Sequence, residues 1–553
     1  MGPPGNTKKG ILAHGMLSLV ASALAVAVPS GAQPGAIEPT ATQPAATTFY
    51  WSGKNSATTS DSRAALSPYV GPHDLSQGPK WSFKLPHVSE SNVSAAFMTT
   101  PLIDSDLNIY VQSRSGTLRK FSNTGEELWM YQFEEEDLLT PSGNSWNTGI
   151  PTSSMNTGIV AYNGLIYSLA TSGYAFAFNT DGEVVWKSRV GSMWTAQADC
   201  PAPAAGHGMV VIAAVSQYCY EVTGVCMAGG GDLIVALDAA DGSFLWEFNV
   251  TAHQYNAMPV FTEMELDGAK VLVIVFNDQL GSVYTLKAAD GSLLWVNTPP
   301  DAVDDAEDPE YPSFTTGSAV VGPNGIVYAA SNVGVVQWSD EGSFLFGNGT
   351  LSAYNLVDGS LVWRRTSPGP QQAMPTGGAV PTSPDSQWPC NAGGAVGMIN
   401  SVKGRTLAYV VPVGGNPDFP WLWLNTTVGH PTVGRNNTAR AAHTAALAAF
   451  DAATGETLWQ YAFPIWYGAT QQDHYADMCG PDGYDNPTLD ADGVAYIGHE
   501  SGFVYAIADY NGDGIITKEE VSSYDLQSGG FQGTAAFAPG MMAITSCYGV
   551  HVY

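Results

Sequence analysis

Residues 509–520 read DYNGDGIITKEE, with oxygen-bearing side chains at alternate positions. Asp509, Asn511 and Asp513 stand at positions one, three and five of a twelve-residue loop, and Gly514 stands at six. Ile515 offers its carbonyl at seven, Thr517 fills nine and Glu520 fills twelve. A hard divalent cation such as calcium takes about six to eight oxygen ligands. This order supplies them, with the glutamate giving two oxygens and the glycine allowing the sharp turn. The run NGDG is also a good turn by itself, through Asx hydrogen bonds. An ordinary turn, however, needs neither Glu520 nor the apolar Ile516.

The pattern is that of the full EF-hand calcium loop, yet SGFVYAIA before it reads as a strand and not as the usual leading helix. Only the short KEEVSSYDL after it is available as a trailing helix. A lone loop without paired helices predicts a rigidifying site, with a dissociation constant of order 10⁻⁴ to 10⁻³ M, in place of a regulatory switch. Two other stretches carry groups suited to chemistry. AHQYNAMP contains His253, Gln254, Tyr255 and Asn256, and YGATQQDHYADMCGPDGYDNP contains Gln471, Gln472, Asp473, His474, Tyr475 and Asp477. Asp473 beside His474 would supply a general base, or a carboxylate and an imidazole to a metal. The same residues equally serve as ordinary loop polarity and packing hydrogen bonds, and the sequence leaves the two readings open.

The element that must position these residues is a repeat. Six segments end alike: KFSNTGEELW, AFNTDGEVVW, ALDAADGSFLW, TLKAADGSLLW, AYNLVDGSLVW and AFDAATGETLW. Each has a glycine four residues before a tryptophan, in the pairs Gly125/Trp129, Gly182/Trp186, Gly242/Trp246, Gly291/Trp295, Gly359/Trp363 and Gly455/Trp459. An alternating strand precedes each turn, so the unit is a hairpin whose glycine takes positive φ and whose second strand carries a large aromatic. A further strand pair lies upstream of most hairpins. Units of four strands repeating at about 50 residues predict an all-β propeller, in which radial repetition protects the sheet edges.

The spacing A-x-D-x-x-x-G-x-x-x-W, whole in Ala236, Asp238, Gly242 and Trp246 and again in Ala449, Asp451, Gly455 and Trp459, resembles the pyrroloquinoline-quinone-type repeat of quinoprotein β-propellers. The resemblance covers roughly residues 80 to 553. It implies that each tryptophan docks on the neighbouring blade and that eight blades are usual. Trp81 together with the C-terminal strands, the six hairpins and a segment at 486–537 makes eight, with seven as the alternative. The interval from Trp363 to Trp459 exceeds one unit and predicts insertions, PDFPWLWLNTTVGHPTVGRNNTARAA being the evident one. Dehydrogenases of this family hold the quinone near the axis with calcium, an Asp base and often two adjacent cysteines. This chain has no adjacent cysteine pair. Other relatives, such as the outer-membrane assembly lipoprotein, are scaffolds. The expected function is therefore a calcium-binding scaffold or binding module, with a quinone-dependent alcohol or sugar dehydrogenase as the alternative; whether the protein is an enzyme stays open.

Composition bounds the partners. A net charge of −30, with only 20 Lys and Arg in 553 residues, argues against a phosphate-backbone ligand and for cations. The runs EEED at 134–137 and DAVDDAEDPE at 301–310 read as solvated acidic loops or as collectors of divalent ions. Lys8 and Lys9, the apolar stretch ILAHGMLSLVASALAVAV and then PSGA have the order of a secretory signal. The expected organisation is a signal peptide at 1–32, a flexible segment at 33–75 and the propeller at 76–553. No later segment reaches the roughly 18 apolar residues of a membrane span. The product belongs outside the cell or in the secretory lumen. Cys200, Cys219, Cys226, Cys390, Cys479 and Cys547 then form an even set suited to disulfides, Cys219 with Cys226 being the natural local pair. Asn92, Asn249, Asn348, Asn425 and Asn436 are candidate glycan acceptors.

Overall fold

In the computed structural model, residues 48–553 are described apart from 53–63, 86–96, 98–99, 114, 139–157, 171, 192–201, 217–229, 256–257, 303–314, 316–317, 334–336, 339–343, 346–347, 368–392, 415–444, 465–485, 500, 529–532 and 547. The expected signal peptide, all six cysteines and the long insertion lie outside the described residues.

The strands form eight antiparallel blades. Blade 1 comprises Leu102–Ile103, Ile109–Ser113, Thr117–Phe121 and Glu127–Gln132, and blades 2 to 6 repeat this meander through the strand Thr457–Ala462. Blade 7 comprises Thr488–Leu489, Ala495–Gly498, Phe503–Ile507 and Val521–Asp525. First strands of neighbouring blades touch, which puts them innermost around the axis. Turns between strands one and two and between three and four open on one face, here the hairpin face. Connections between strands two and three and between blades leave from the opposite, crossover face.

Blade 8 is composite. Ala536–Ala538, Met541–Ser546 and Gly549–Val552 come from the C-terminus, and Trp81–Lys84 pairs with the last of them, Trp81 opposite Val552. Joining the two chain ends in one sheet closes the ring and removes two free edges. The eight-blade count built on Trp81 holds, and seven is set aside. The same sheet carries a fifth strand on its inner edge, Trp51–Ser52, with Trp51 opposite Phe537. The segment expected to be flexible at 33–75 is thus built in wherever it is described. Trp51, Ala64, Ala65 and Leu75 are buried. Small and polar residues hide this in sequence, because two-residue strands show no periodicity.

The core lies in the seams between blades. Each seam cluster draws on two neighbours, as where Ala236 and Trp246 of blade 3 meet Ile274, Phe276, Tyr284 and Leu286 of blade 4. Trp186, Trp246, Trp363 and Trp459 are buried, while Trp81, Trp129 and Trp295 are half-buried. Six of these seven tryptophans share one contact. Their indole N–H donates to a carbonyl at the next blade's hairpin turn: Trp81 to Asn123, Trp129 to Thr180, Trp186 to Ala239, Trp246 to Ala288, Trp295 to Leu356 and Trp363 to Ala452, at 2.8 to 3.1 Å. The ring plane covers the turn glycine. At Gly242, with φ of 71°, an added Cβ would lie 2.6 Å from Trp186. Positive φ and close approach together require glycine there.

Candidate functional site

The calcium-type stretch takes the place of the hairpin turn between the third and fourth strands of blade 7, where Ile507 pairs with Val521. The expected trailing helix is corrected: only Lys518–Glu520 turns, as one 3₁₀ turn, and Val521–Asp525 is a strand paired along its length. The sheet overrides the helical preference of KEEV, because the fourth blade position otherwise leaves an edge unpaired.

Asp509 is buried at the start of the loop. Its Oδ1 accepts from the amides of Gly512 (2.8 Å) and Asp513 (3.1 Å), and its Oδ2 from that of Gly514 (2.9 Å). Glu520 is buried at the other end, its Oε1 accepting from Asn511 N–H and its Oε2 from the amide and hydroxyl of Thr517. Burial works to raise the Glu520 carboxyl. The hydrogen bonds from Thr517 and Asn511 outweigh it and hold the group below the ordinary carboxylate range. Asp513 accepts from the Ile515 amide and the Asn511 side chain, and Glu519 is exposed. Gly512 and Gly514 have φ of 74° and 80°. The residue types and backbone therefore suit a divalent ion, with the carboxylates turned onto the loop's own amides. Among the described residues no three His, Cys, Asp and Glu side chains are gathered as a metal site.

The long loop reaches back over blade 6. A Cβ on Gly514 would meet Val402 and the Leu458 carbonyl, and one on Gly512 the Ser401 carbonyl. Leu458 is covered at 5% exposure, whereas of its counterparts Leu128, Val185, Leu245 and Val362 are 43–47% exposed and Leu294 is half-buried. Trp459, 2% exposed, packs in the cluster joined by Ile516 and Val521, and its Nε1 has no hydrogen-bond partner. Lengthening the turn thus removed the carbonyl that serves the other six seam tryptophans. Beside the loop, His73 lies 3.4 Å from Asp490 and 3.5 Å from Asp492, with its ring on Tyr510.

Of the two polar loops picked out in the sequence, Asn256, Gln471, Gln472, Asp473, His474, Tyr475 and Asp477 fall outside the described residues. His253, Gln254 and Tyr255 end the last strand of blade 3. Gln254 is fully buried, with neither amide atom partnered. Two polar centres escaped the sequence reading. Asp278, at the second-to-third-strand turn of blade 4, is buried and accepts from Tyr284 O–H (2.8 Å) and Ser282 N–H (2.9 Å). Burial pushes its carboxyl up to about 6, those hydrogen bonds offsetting part of the rise. His551, buried in blade 8, lies 2.9 Å from Ser82 Oγ through Nδ1 and 2.8 Å from Ser546 Oγ through Nε2. Burial, with Lys84 nearby, pushes it down to about 3. A lone Asp in a turn or His in a strand carries no sequence signal of this kind.

Eight blades, seven of four strands and one of five, with tryptophans in their seams define a propeller of the quinoprotein-repeat class. Residues 114–343 and 344–515 match the family described as outer membrane protein assembly factor BamB, and the chain belongs to that family. Among solved structures it is similar to a quinohemoprotein alcohol dehydrogenase, ADHIIG of Pseudomonas putida, at 14% identity, with 91% of this chain and 76% of that one covered and a TM-score of 0.51. It is also similar to BamB from Moraxella catarrhalis at 13% identity, with 85% and 99% covered and a TM-score of 0.47. Identities this low speak for the fold alone. No curated protein matches the sequence.

Proposed function

We propose that the protein is a secreted, calcium-binding propeller that works as a binding or scaffold module. The observation that carries the binding reading is that the ring's axis is lined by its own N-terminal chain. Trp51–Ser52 extends blade 8 inward, and Leu66 bridges Leu489 on the first strand of blade 7. Calcium would be held by Asp509, Asn511, Asp513, the Ile515 carbonyl, Thr517 and Glu520. Glu520 and Asp513, which accept from loop amides here, would supply carboxylates to the ion, and the ion would serve as a structural cross-link of a long turn. The secreted reading rests on the N-terminal signal pattern and the even cysteine set, with Asn249 exposed as a glycan acceptor requires.

The test is reconstitution with calcium and pyrroloquinoline quinone, read by calorimetry, absorption and dye-linked oxidation of alcohols and sugars. The module reading expects saturable calcium binding without quinone retention. Retained quinone with dye reduction would establish the dehydrogenase alternative in its place.

A further inference from the structure

The chain that lines the axis runs as two limbs. Residues 48–52 form the first: Tyr50 N–H donates to the Ile103 carbonyl (2.7 Å) and Thr48 accepts from Ser105 N–H (2.8 Å), while Trp51 and Ser52 pair antiparallel with Phe537 and Ala536. Residues 64–69 form the second. Ala65 accepts from Leu489 N–H (2.9 Å), Ser67 donates to the Leu489 carbonyl (2.7 Å) and Tyr69 accepts from Ala491 N–H (3.1 Å), parallel to the first strand of blade 7. The limbs therefore run in opposite directions. They meet where the Tyr50 and Tyr69 rings stand edge to face at 5.6 Å. Beyond Tyr69 the chain emerges on the hairpin face, Gly71 N–H donating to Asp490, and continues to Trp81–Lys84.

This is strand addition to the inner edges of blades 7 and 8, the mode in which main-chain hydrogen bonds supply affinity and pockets for alternate side chains supply selectivity. The pockets are visible. Trp51 is fully buried against Phe537, and Leu66 fills the space that Gly397 leaves, where a Cβ would lie 2.9 Å from its Cδ1. The resident fit is incomplete, because Trp51 Nε1 is fully buried without a partner. Such a group costs free energy that a better-matched occupant would recover.

We infer that the axis of the ring is a slot for extended peptide, held in this chain by its own residues 48–52 and 64–69 and able to take a strand from another chain in their place. The inference deepens the binding-module reading and rests on it; the calcium loop plays no part. A tethered occupant competes at an effective concentration on the order of millimolar, so a free peptide gains access only when the resident limb is weakened.

The test uses a fluorescein-labelled synthetic peptide spanning residues 46–70, titrated by anisotropy against the full-length chain and its Trp51→Ser variant. The variant is expected to bind at least tenfold more tightly than the parent, with unlabelled peptide competing and a scrambled one not. Equal binding to both chains, or none to either, overturns the slot. Circular dichroism reports whether the variant keeps its sheet; if Trp51→Ser does not, Leu66→Ser is read in the same assay with the same two outcomes. A negative result leaves the calcium and quinone assays unchanged, so the slot can fail while the module reading stands.

Discussion

Replacing His551 with Gln tests the closing blade through its pH dependence. The imidazole bridges Ser82 on the N-terminal strand and Ser546 on a C-terminal one, and is pushed down from 6.5 to about 3 by burial, with Lys84 adding to it. A folded pKa below the unfolded one means that the unfolded chain binds the proton first. The stabilisation is therefore full above pH 6.5 and is lost as pH falls from 6.5 towards 3. At about 1.4 kcal/mol per unit, the contribution of His551 alone falls by about 2 kcal/mol at pH 5 and about 3 kcal/mol at pH 4 relative to pH 8. Asp278 has the opposite sign. Its carboxyl is raised from 3.8 to about 6, so its contribution is full below 3.8 and falls by about 3 kcal/mol as pH rises through 6. Between pH 4 and 6 the two slopes nearly cancel in wild type, and each variant exposes the other. Urea unfolding at pH 4, 5, 6 and 8 on wild type, His551→Gln and Asp278→Asn measures this. The stability gap between wild type and His551→Gln should shrink by about 2 kcal/mol from pH 8 to pH 5, and that for Asp278→Asn should widen in favour of the variant from pH 4 to pH 6. Parallel curves for wild type and His551→Gln would refute the claim that the closure holds a neutral imidazole.

The other expectations concern the seams and the loop. Trp363→Ala should cost about 3 to 5 kcal/mol in urea unfolding, and the half-buried Trp81→Ala less, because less contact is removed. Calcium at about 100 times its dissociation constant should add about 2.7 kcal/mol of stability, seen as a raised melting temperature without exposure of apolar surface. Glu520→Gln should weaken calcium binding strongly in calorimetry and Glu519→Gln should not, since Glu519 is exposed. In indole ¹H–¹⁵N spectra, Trp459, assigned through Trp459→Phe, should resonate upfield of the six hydrogen-bonded seam tryptophans and shift most among them when calcium is added.

The Gly-to-Trp offset is short-range chemistry, a positive-φ turn and an aromatic on the next strand, and from it the repeated hairpin and the propeller could be read, while the seam role of tryptophan and the count of eight came with the resemblance to quinoprotein repeats. The calcium-type pattern is likewise a local one, its candidate donors lying within twelve residues of chain. Its exit was not local: whether KEEV turns into helix or strand depended on an edge waiting at Phe503–Ile507. Nor could sequence show that Trp51 and Leu66 enter the ring, that Trp459 loses its carbonyl, or that Asp278 and His551 sit where water cannot solvate their charges. Each of these depends on groups hundreds of residues apart or on neighbouring blades. Burial and the pairing of sheet edges exist only once the chain has closed on itself, so the tertiary structure alone decided them.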